Sequence, residues 1–371
     1  MNGLPNSVDV LVVGGGPAGL ATAIAGRRQG LSVLVADGAL APVDKACGEG
    51  LMPDGVEALR HLGVTIPESD ARPFRGIRFV NQNQRSEATF PAGTALGIRR
   101  TSLHQILMAH AADAGAQLLW QAPVTGLHPQ GALVGGELVR AHWVVGADGT
   151  ASRVRRWARL DAHKHNRVRF AIRRHYRVAP WTNFVEVHWA RRCQFYLTPV
   201  GRAEVCVAMV SDNPKMRVDD ALAESPELSV RFGGAEQTSS ERGAVTVSRQ
   251  LRRVFRGNVA LVGDASAGVD AITGEGLCLA FRQSALLAES LASGDLARYQ
   301  AEHTRLIRRP AFMARMMLFM ARHDRLRQRT MQVFESNPRS FAAMLSMHVG
   351  AGSATEYVSS GLSLGWQLLK A

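Results

Sequence analysis

A run of small residues follows an apolar segment near the start of the chain, and its spacing suits the binding of phosphate groups. Residues 10–13 predict a buried strand, and a helix is expected from Leu20 onward. The turn between them contains Gly14, Gly16, Pro17, Ala18 and Gly19. Gly14 permits the tight turn, Gly16 lets a pyrophosphate approach the backbone, and Gly19 lets the helix pack closely on the strand. The partial positive charge at the N-terminus of the helix favours bound phosphates.

An acidic residue ends the next apolar segment. Residues 32–36 predict a second strand, and Asp37 follows it directly. A carboxylate at this position can accept hydrogen bonds from the hydroxyls of a ribose. The glycine pattern alone also occurs in other tight strand-to-helix turns, but the strand, the helix and the acid together predict a dinucleotide-binding unit.

Two later segments also end an apolar strand in an aspartate. Residues 144–147 lead into Asp148, and residues 259–262 lead into Gly263 and Asp264. Each of these motifs alone also fits an ordinary turn at the end of a strand. Together with the first motif, they indicate three strands that present polar groups at one edge of a parallel sheet.

These three strand ends, in this order, resemble the FAD-dependent superfamily that contains geranylgeranyl reductases and single-component aromatic hydroxylases. The resemblance implies FAD as the cofactor, with Asp264 near its ribityl and pyrophosphate part. It also implies that the loop containing Gly274, Gly276 and Leu277 meets the flavin ring at a helix N-terminus. The implied fold class is α/β, with a Rossmann-like FAD-binding domain, an inserted antiparallel β-sheet substrate domain of α+β type and a helical C-terminal tail.

The same resemblance assigns three further cofactor residues. Arg100 occupies the position at which similar flavoproteins use an Arg or Gln to reach the FAD phosphate or ribityl group. An arginine at the start of a helix is electrostatically unfavourable unless an anion is bound nearby, which favours this role over that of a surface residue. Val124 lies where similar proteins hold the adenine with backbone groups, and Asp148 belongs to the second strand-end motif.

The segment Cys47-Gly48-Glu49-Gly50 resembles the Cys-Gly-x-Gly segment of geranylgeranyl reductase-like enzymes, which lies beside the flavin and the substrate tunnel. The resemblance implies that Gly48 lets the backbone pass close to the ring, and we expect Cys47 to face the active site. We expect Tyr196 to bound the substrate from the same side of the ring. The alternative is that Cys47 and Tyr196 are ordinary core residues.

The chemistry has two principal alternatives. Aromatic hydroxylases typically carry a histidine where this chain has Ser266, followed by a proline that is absent here, whereas Gly274-Glu275-Gly276 resembles the reductase branch. A reductase would transfer hydride to a C=C or similar group in an isoprenoid, polyketide or quinone-type substrate. A monooxygenase would transfer one oxygen atom to an aromatic or polyketide substrate. A non-catalytic electron-transfer flavoprotein is the third alternative.

Two features bear on the partners of the flavin. Tyr196 and Thr198 stand where isoprenoid-reducing members carry larger apolar rings, which indicates a shorter or more polar small-molecule substrate. No second glycine fingerprint is present for NAD(P)H. We therefore expect NAD(P)H to bind only transiently, or electrons to come from a donor protein.

The composition of the 371-residue chain, which is 46% hydrophobic, allows a large core and more than one domain. Its cysteines, Cys47, Cys193, Cys206 and Cys278, form no CxxC pair, which indicates a reducing compartment and no structural metal site. No secretory signal is recognisable, so the expected location is the cytoplasm, with peripheral contact at the inner membrane face as an option.

The formal charge of +13 is concentrated in residues 152–177 and 305–329. A solvated basic surface explains either run, and nucleic acid is not an expected partner because no nucleic-acid-binding motif accompanies the charge. In the second run, Arg308, Arg309, Arg315 and Arg322 flank Phe312, Met316 and Phe319. This helix could contact an anionic membrane or a donor protein, form a lid over the substrate pocket, or pack ordinarily against the FAD-binding domain.

The expected organisation is discontinuous. Residues 1–75, 97–165 and 250–300 are predicted to form the FAD-binding domain, 76–96 and 167–249 the substrate domain, and 301–371 a C-terminal helical segment. Alternating apolar residues between 184 and 210 predict the antiparallel strands of the substrate domain. Pro310 is expected to break the C-terminal helix.

Overall fold

Two large β-sheets frame the protein, whose computed structural model describes residues 5–161 and 168–352. The strands are β1 (Ser7–Val13), β2 (Val33–Ala36), β3 (Gly50–Leu51), β4 (Ala71–Phe74), β5 (Gly76–Asn81), β6 (Gln84–Thr89), β7 (Ala95–Ile98), β8 (Gln117–Leu119), β9 (Val124–His128), β10 (Gly131–Val134), β11 (Glu137–Gly146), β12 (Val168–Tyr176), β13 (Val185–Ala190), β14 (Cys193–Gly201), β15 (Glu204–Ser211), β16 (Arg242–Val247), β17 (Arg249–Gln250), β18 (Phe255–Arg256), β19 (Val259–Leu261) and β20 (Ala267–Gly268). The helices are α1 (Pro17–Arg28), α2 (Pro53–His61), α3 (Arg100–Asp113), α4 (Arg153–Trp157), α5 (Val218–Ala223), α6 (Pro226–Phe232), α7 (Gly276–Ser293), α8 (Leu296–Arg322), α9 (Asp324–Ser336) and α10 (Pro338–Val349).

The first sheet joins the three strands that carry the sequence motifs. Its central order is β18-β19-β11-β1-β2-β8, and β1 runs parallel to both β2 and β11, while β11 runs parallel to β19. The carboxyl ends of parallel strands meet at one edge of a sheet, which is where ligands bind in open α/β folds. The predicted Rossmann-like arrangement is therefore confirmed.

The second sheet has the order β16-β12-β15-β14-β13-β5-β6, and all neighbours are antiparallel except β5 and β13. Its strands alternate between two faces. Tyr196 and Val210 point towards the largest core cluster, whereas Phe195 and Met209 pack in the cluster that includes α5 and α6. The predicted antiparallel layer is thus present; the domain boundaries themselves stay a prediction.

The C-terminal helices cover the first sheet and extend to the second. Helix α7 lies against α1, and the two are joined by a hydrogen bond from Thr22 Oγ1 to Ser284 Oγ at 3.0 Å. The expected break at Pro310 is wrong, because α8 continues through this residue. Pro310 is buried together with Ile307 and Met313, so packing on both sides compensates for the lost backbone hydrogen bond. Residues 353–371 of the predicted helical tail lie outside the described residues.

Helix α8 is fixed to the strand end of β19 by buried polar contacts. The hydroxyl of Tyr299 donates to the carbonyl oxygen of Leu261 at 2.7 Å. His303 Nε2 lies 2.9 Å from Ser266 Oγ, and burial lowers the pKa of His303 to about 4. The imidazole is therefore neutral around neutral pH.

We expect His303 to make the protein sensitive to acid. Its pKa is lower in the folded chain than the value of 6.5 for an exposed histidine, so its contribution is intact above pH 6.5 and is lost as the pH falls towards 4. This shift corresponds to about 3 kcal/mol of unfolding free energy. Urea denaturation at pH 7 and pH 4.5 should show a smaller acid loss for His303→Asn than for the wild type. The exposed His61→Asn is the control, and equal losses in all three proteins would contradict the assignment.

None of the helices in the described residues has the length and apolar character needed to cross a membrane.

Candidate active site

A cavity of about 540 Å³ opens at the carboxyl edge of the first sheet and reaches the second sheet. All the residues that the sequence analysis assigned to the site line this cavity, with the exception of Gly19. Those residues come from the strand ends of the first sheet, the loop around Cys47, the start of α3, the loop before α7 and strand β14. The structure therefore brings together segments that are far apart in the sequence.

The glycines at the end of β1 serve different purposes. Gly14 has a φ of +110°, and a Cβ atom there would lie 2.6 Å from the carbonyl oxygen of Ala147. At Gly19, a Cβ atom would lie 1.9 Å from the carbonyl oxygen of Gly14. Both residues are therefore required for the chain to pack. At Gly16, by contrast, a Cβ atom would meet only the Arg100 guanidinium, at 3.8 Å, so the space in front of this residue is open.

Arg100 places a buried guanidinium opposite Gly16. Its side chain is 9% exposed, and its Nε has no hydrogen-bond partner among the described residues. Burial lowers the pKa of Arg100, because an unpaired cation is poorly stabilised away from water. A bound anion would remove this penalty. The preceding Arg99 differs, because its guanidinium donates to Glu204 outside the cavity lining.

Asp37 stabilises the glycine turn by accepting a backbone hydrogen bond from it. Its Oδ2 accepts the N–H of Gly15 at 2.7 Å, and its Oδ1 accepts the N–H of Ala39 at 2.8 Å. A carboxylate oxygen can accept two hydrogen bonds, so each oxygen keeps one acceptor position. Its expected contact with a ribose stays a prediction.

The other two strand-end aspartates are engaged to different degrees. The Asp148 carboxylate accepts hydrogen bonds from Ser152 Oγ and from the N–H groups of Arg153 and Val154, which caps α4. This capping accounts for Asp148 without a ligand. Asp264 is exposed and accepts a 3.3 Å hydrogen bond from Thr150 Oγ1. Within the described residues this leaves most of its acceptor capacity for a ligand.

The loop around Cys47 has its backbone turned towards the cavity. A Cβ atom at Gly48 would meet nothing within 4 Å, and the carbonyl of this residue accepts a 2.7 Å hydrogen bond from Thr198 Oγ1. The Cys47 sulfur accepts the N–H of Glu49 at 3.3 Å. Burial raises the pKa of the Cys47 thiol, so it stays protonated at neutral pH and is not an activated nucleophile.

Glu49, whose role the sequence analysis did not identify, anchors this loop. It is 1% exposed and has a φ of +57°. One carboxylate oxygen accepts the N–H of Arg100 at 3.0 Å, and the other lies 2.6 Å from His175 Nε2. The Arg173 guanidinium lies 3.7 Å from the same carboxylate. Glu49 thus connects the Cys47 loop to the helix that carries Arg100, and its position between two glycines was the available signal.

The same region contains three groups of the kind that bind metals. The ligand atoms of Glu49, His175 and Cys206 lie within 4.8 Å of one another, and all three residues are buried. Burial holds the pKa of Cys206 well above its usual value, so the thiol is protonated. With the Arg173 cation beside Glu49, this environment is unsuited to a divalent metal ion.

Tyr196 ties the loop before α7 to the second sheet. Its hydroxyl donates to the carbonyl oxygen of Ile272 at 2.9 Å, and burial raises its pKa. Asp270 Oδ1 accepts both the N–H of Ile272 and a 2.9 Å hydrogen bond from Arg169 Nη1. Tyr196 lines the cavity, while its hydroxyl proton is already used to position the loop. Its expected contact with the substrate stays a prediction.

Glu275 is a second acid that the sequence analysis left without a role. It lies between Gly274 and Gly276, is 3% exposed, and contacts Arg309 of α8 at 3.5 Å and His348 of α10 at 3.6 Å. Burial raises the pKa of its carboxyl group. Through these contacts, the C-terminal helices help to position the loop before α7.

A parallel sheet, an open glycine turn and a buried arginine whose Nε has no partner among the described residues define a dinucleotide-binding protein. The chain belongs to the family described as FAD binding domain, whose model matches residues 7–306. It is therefore an FAD-dependent oxidoreductase, as the sequence resemblance implied.

Known proteins of this group are similar over most of the chain. The menaquinone reductase of Mycobacterium tuberculosis is 30% identical over 321 residues, which cover 79% of this chain and 78% of the relative. A digeranylgeranylglycerophospholipid reductase of Methanosarcina acetivorans is 27% identical and covers 78% of this chain and 77% of its own length. The structure of a probable FAD-dependent monooxygenase from Pseudomonas aeruginosa has a TM-score of 0.70 at 21% identity, with 84% of this chain and 95% of that chain covered. The relatives identify a geranylgeranyl reductase-like flavoprotein, and the monooxygenase shares its fold.

The residues of this chain fit FAD. The open space at Gly16 and the unpaired guanidinium of Arg100 face each other, as the binding of a pyrophosphate requires. Asp37 and Asp264 would accept hydrogen bonds from the ribose and ribityl hydroxyls. The loop from Gly274 to Gly276, at the N-terminus of α7, would meet the flavin ring.

Proposed function

We propose that this flavoprotein reduces a carbon–carbon double bond, or a similar group, in an isoprenoid, polyketide or quinone-type substrate. The observation that carries the proposal is the second-sheet wall of the cavity, where Val185, Ala208 and Val210 surround the ring of Tyr196. Such a wall suits a flat, largely apolar group with few polar substituents. The names of the two reductase relatives, which refer to a menaquinone and to a geranylgeranyl lipid, support the same substrate class.

Bound FAD, once reduced, would supply the hydride, a nearby acid would protonate the neighbouring carbon, and the chain would supply placement. The Cys47 loop and the loop before α7 would hold the flavin ring against the second sheet, because Glu49 and Tyr196 fix these two loops through buried hydrogen bonds. The apolar wall would exclude water from the substrate. Cys47, held as a thiol, would contact the substrate without forming a bond to it.

The reaction can be tested with reduced, air-free holoprotein mixed with a quinone that carries a short isoprenoid chain. We expect the flavin absorbance to return as the substrate is reduced. After air has returned any hydroquinone to the quinone, the product should remain two hydrogen atoms heavier in the mass spectrum. Incorporation of oxygen from labelled O₂ into the product would instead establish the monooxygenase alternative. Reoxidation only by a protein acceptor would indicate an electron-transfer flavoprotein.

Cys47 and Tyr196 give a test of where the substrate binds. We expect Cys47→Ala to change turnover or the product pattern while FAD content stays intact, because the dinucleotide contacts lie elsewhere. Tyr196→Phe removes the hydrogen bond to Ile272, so it should alter KM and also loosen the loop before α7. Turnover, flavin content and melting temperature should be measured for both variants. A parallel loss of all three would show that the two residues are ordinary core.

We infer that NAD(P)H reduces the flavin during a transient encounter, since the chain has no second glycine fingerprint for a resident nicotinamide dinucleotide. The rate of flavin bleaching without oxygen should rise with NADH or NADPH concentration. No bleaching with either compound would favour a donor protein.

We further propose that α8 docks on an anionic membrane surface. Arg305, Arg308, Phe312, Arg315, Phe319 and Arg322 recur at intervals of three and four residues, which places them on one helix face. Phe312 and Phe319 are 49% and 54% exposed, and Arg305, Arg308, Arg315 and Arg322 are also exposed. Exposed aromatic rings between arginines suit the boundary between lipid headgroups and acyl chains.

Co-sedimentation with vesicles that contain anionic lipid tests this surface. We expect salt-sensitive binding that Phe312→Ser/Phe319→Ser reduces severalfold. The variant Leu40→Ser/Val230→Ser removes two exposed apolar side chains elsewhere and serves as the control. Equal binding of both double variants, or binding to neutral vesicles alone, would refute the proposal.

A further inference from the structure

A second cavity, of about 630 Å³, lies at the end of the second sheet, around the turn between β13 and β14. We call it the outer cavity; its lining includes Arg169, Arg191, Arg192, Gln194, Asp212 and Arg322. None of its lining residues lines the first cavity. Alternate residues of a strand share a face, and Gln194 and Arg169 are the same-face neighbours of Tyr196 and Ala171 in the first cavity. Residues two positions apart on these strands therefore line different cavities, and Gln194 of the outer cavity pairs with Val210 of the first cavity, so the two cavities adjoin here.

The wall between the cavities is a hydrogen-bonded cluster around Arg169. This side chain is 3% exposed and donates to Asp270 and Gln194, while its Nε lies 3.4 Å from Asp212. Asp270 in turn caps the backbone of Ile272 in the loop before α7. Hydrogen bonds therefore link Arg169 in the lining of the outer cavity to the loop that would meet the flavin ring.

The lining of the outer cavity contains five arginines and four acids, a formal excess of one positive charge. Arg191, Arg192 and Arg322 are exposed at its rim, and no ion pair joins them to an acid within residues 5–161 and 168–352. Three of the four acids in the lining lie beside arginines: Asp324 pairs with Arg327, Glu227 with Arg85 and Arg231, and Asp212 lies 3.4 Å from Arg169. The fourth acid, Glu224, is exposed. Guanidinium groups bind phosphate through two parallel hydrogen bonds.

We propose that the outer cavity binds a phosphate group that belongs either to a nicotinamide dinucleotide phosphate or to a phosphorylated substrate. The identity of the molecule that carries the phosphate rests on the proposed function, whereas the binding of a phosphate group does not. Arg169 and Asp270 connect the outer cavity to the loop before α7 through hydrogen bonds. A phosphate bound in the outer cavity should therefore perturb the flavin absorbance without any turnover.

The first experiment titrates inorganic pyrophosphate into the FAD-loaded holoprotein at low salt, by calorimetry and by difference absorbance. We expect saturable binding, a small flavin difference spectrum, and at least tenfold weaker binding for Arg191→Gln/Arg192→Gln. Arg252→Gln/Arg253→Gln, which removes two exposed arginines outside both cavities, is the matched control. No binding by the wild type, or equal binding by both double variants, would overturn the proposal.

The source of the phosphate is tested by anaerobic flavin reduction. If it belongs to the dinucleotide, Arg191→Gln/Arg192→Gln should raise the apparent KM for NADPH severalfold and leave that for NADH unchanged. If reduction by both dinucleotides is unchanged while pyrophosphate binding is lost, the phosphate belongs to the substrate. Either result is separable from the proposed reaction, because a failure to reduce quinones would leave the calorimetric binding in place.

Discussion

Gly16→Val should abolish FAD binding and leave the fold of the apoprotein intact. Gly16 has a φ of −70°, which valine adopts without strain, and the nearest atom to a new Cβ would be the Arg100 guanidinium at 3.8 Å. The valine side chain would then occupy the space that the pyrophosphate needs. We expect flavin content after purification to fall below about a tenth of the wild-type value, since the loss of several phosphate contacts at about 1.5–3 kcal/mol each is not replaced.

Two further glycine variants make this test specific. Gly243 lies in β16, has no positive φ and has no atom closer than 4.0 Å to a new Cβ, so Gly243→Val should keep both fold and flavin. Gly19→Val should lose the fold itself, because its Cβ would lie 1.9 Å from the carbonyl oxygen of Gly14. A yellow, fully loaded Gly16→Val protein would show that the pyrophosphate does not bind there.

The features that the sequence predicted are those that depend on short stretches of chain. The turn from Gly14 to Gly19, the acid at Asp37 and the strand ends at Asp148 and Asp264 each combine a local backbone requirement with a fixed spacing. Their meeting at one sheet edge followed because carboxyl ends of parallel strands share an edge. Arg100 was predictable by the same reasoning, since its position at a helix start is unfavourable without an anion.

The features that were missed depend on contacts between distant segments. Glu49 meets His175 across 126 residues, and Glu275 meets helices that lie later in the chain. Neither pairing has a sequence pattern, because strand β12 and helices α8 and α10 are brought to these acids by tertiary packing. The wrong prediction of a helix break at Pro310 has the same reason. Packing on both sides of Pro310 keeps α8 continuous, and a rule based on local sequence does not include such packing.

Arg100→Met and Arg99→Met should have opposite effects, although the two residues are adjacent. Arg100 is a buried cation with an unpaired Nε, so methionine should leave the apoprotein at least as stable as the wild type. The same change should weaken FAD binding about tenfold to a hundredfold, because a charge-assisted hydrogen bond contributes about 1.5–3 kcal/mol.

Arg99 donates to Glu204 at 2.6 and 2.8 Å and does not line the cavity, so its loss should lower the unfolding free energy by up to about 1 kcal/mol and leave FAD affinity unchanged. Apoprotein melting and FAD titration together distinguish the two roles. If both variants lost stability and flavin in parallel, Arg100 would be a packing residue. If the Arg99 variant alone lost FAD affinity, the anion would bind on the Glu204 side of α3. If Arg100→Met loses only FAD affinity and Arg99→Met loses only stability, the pyrophosphate binds between the N-terminus of α3 and Gly16. There the Arg100 guanidinium supplies the positive charge, and the glycine turn leaves space for the phosphates.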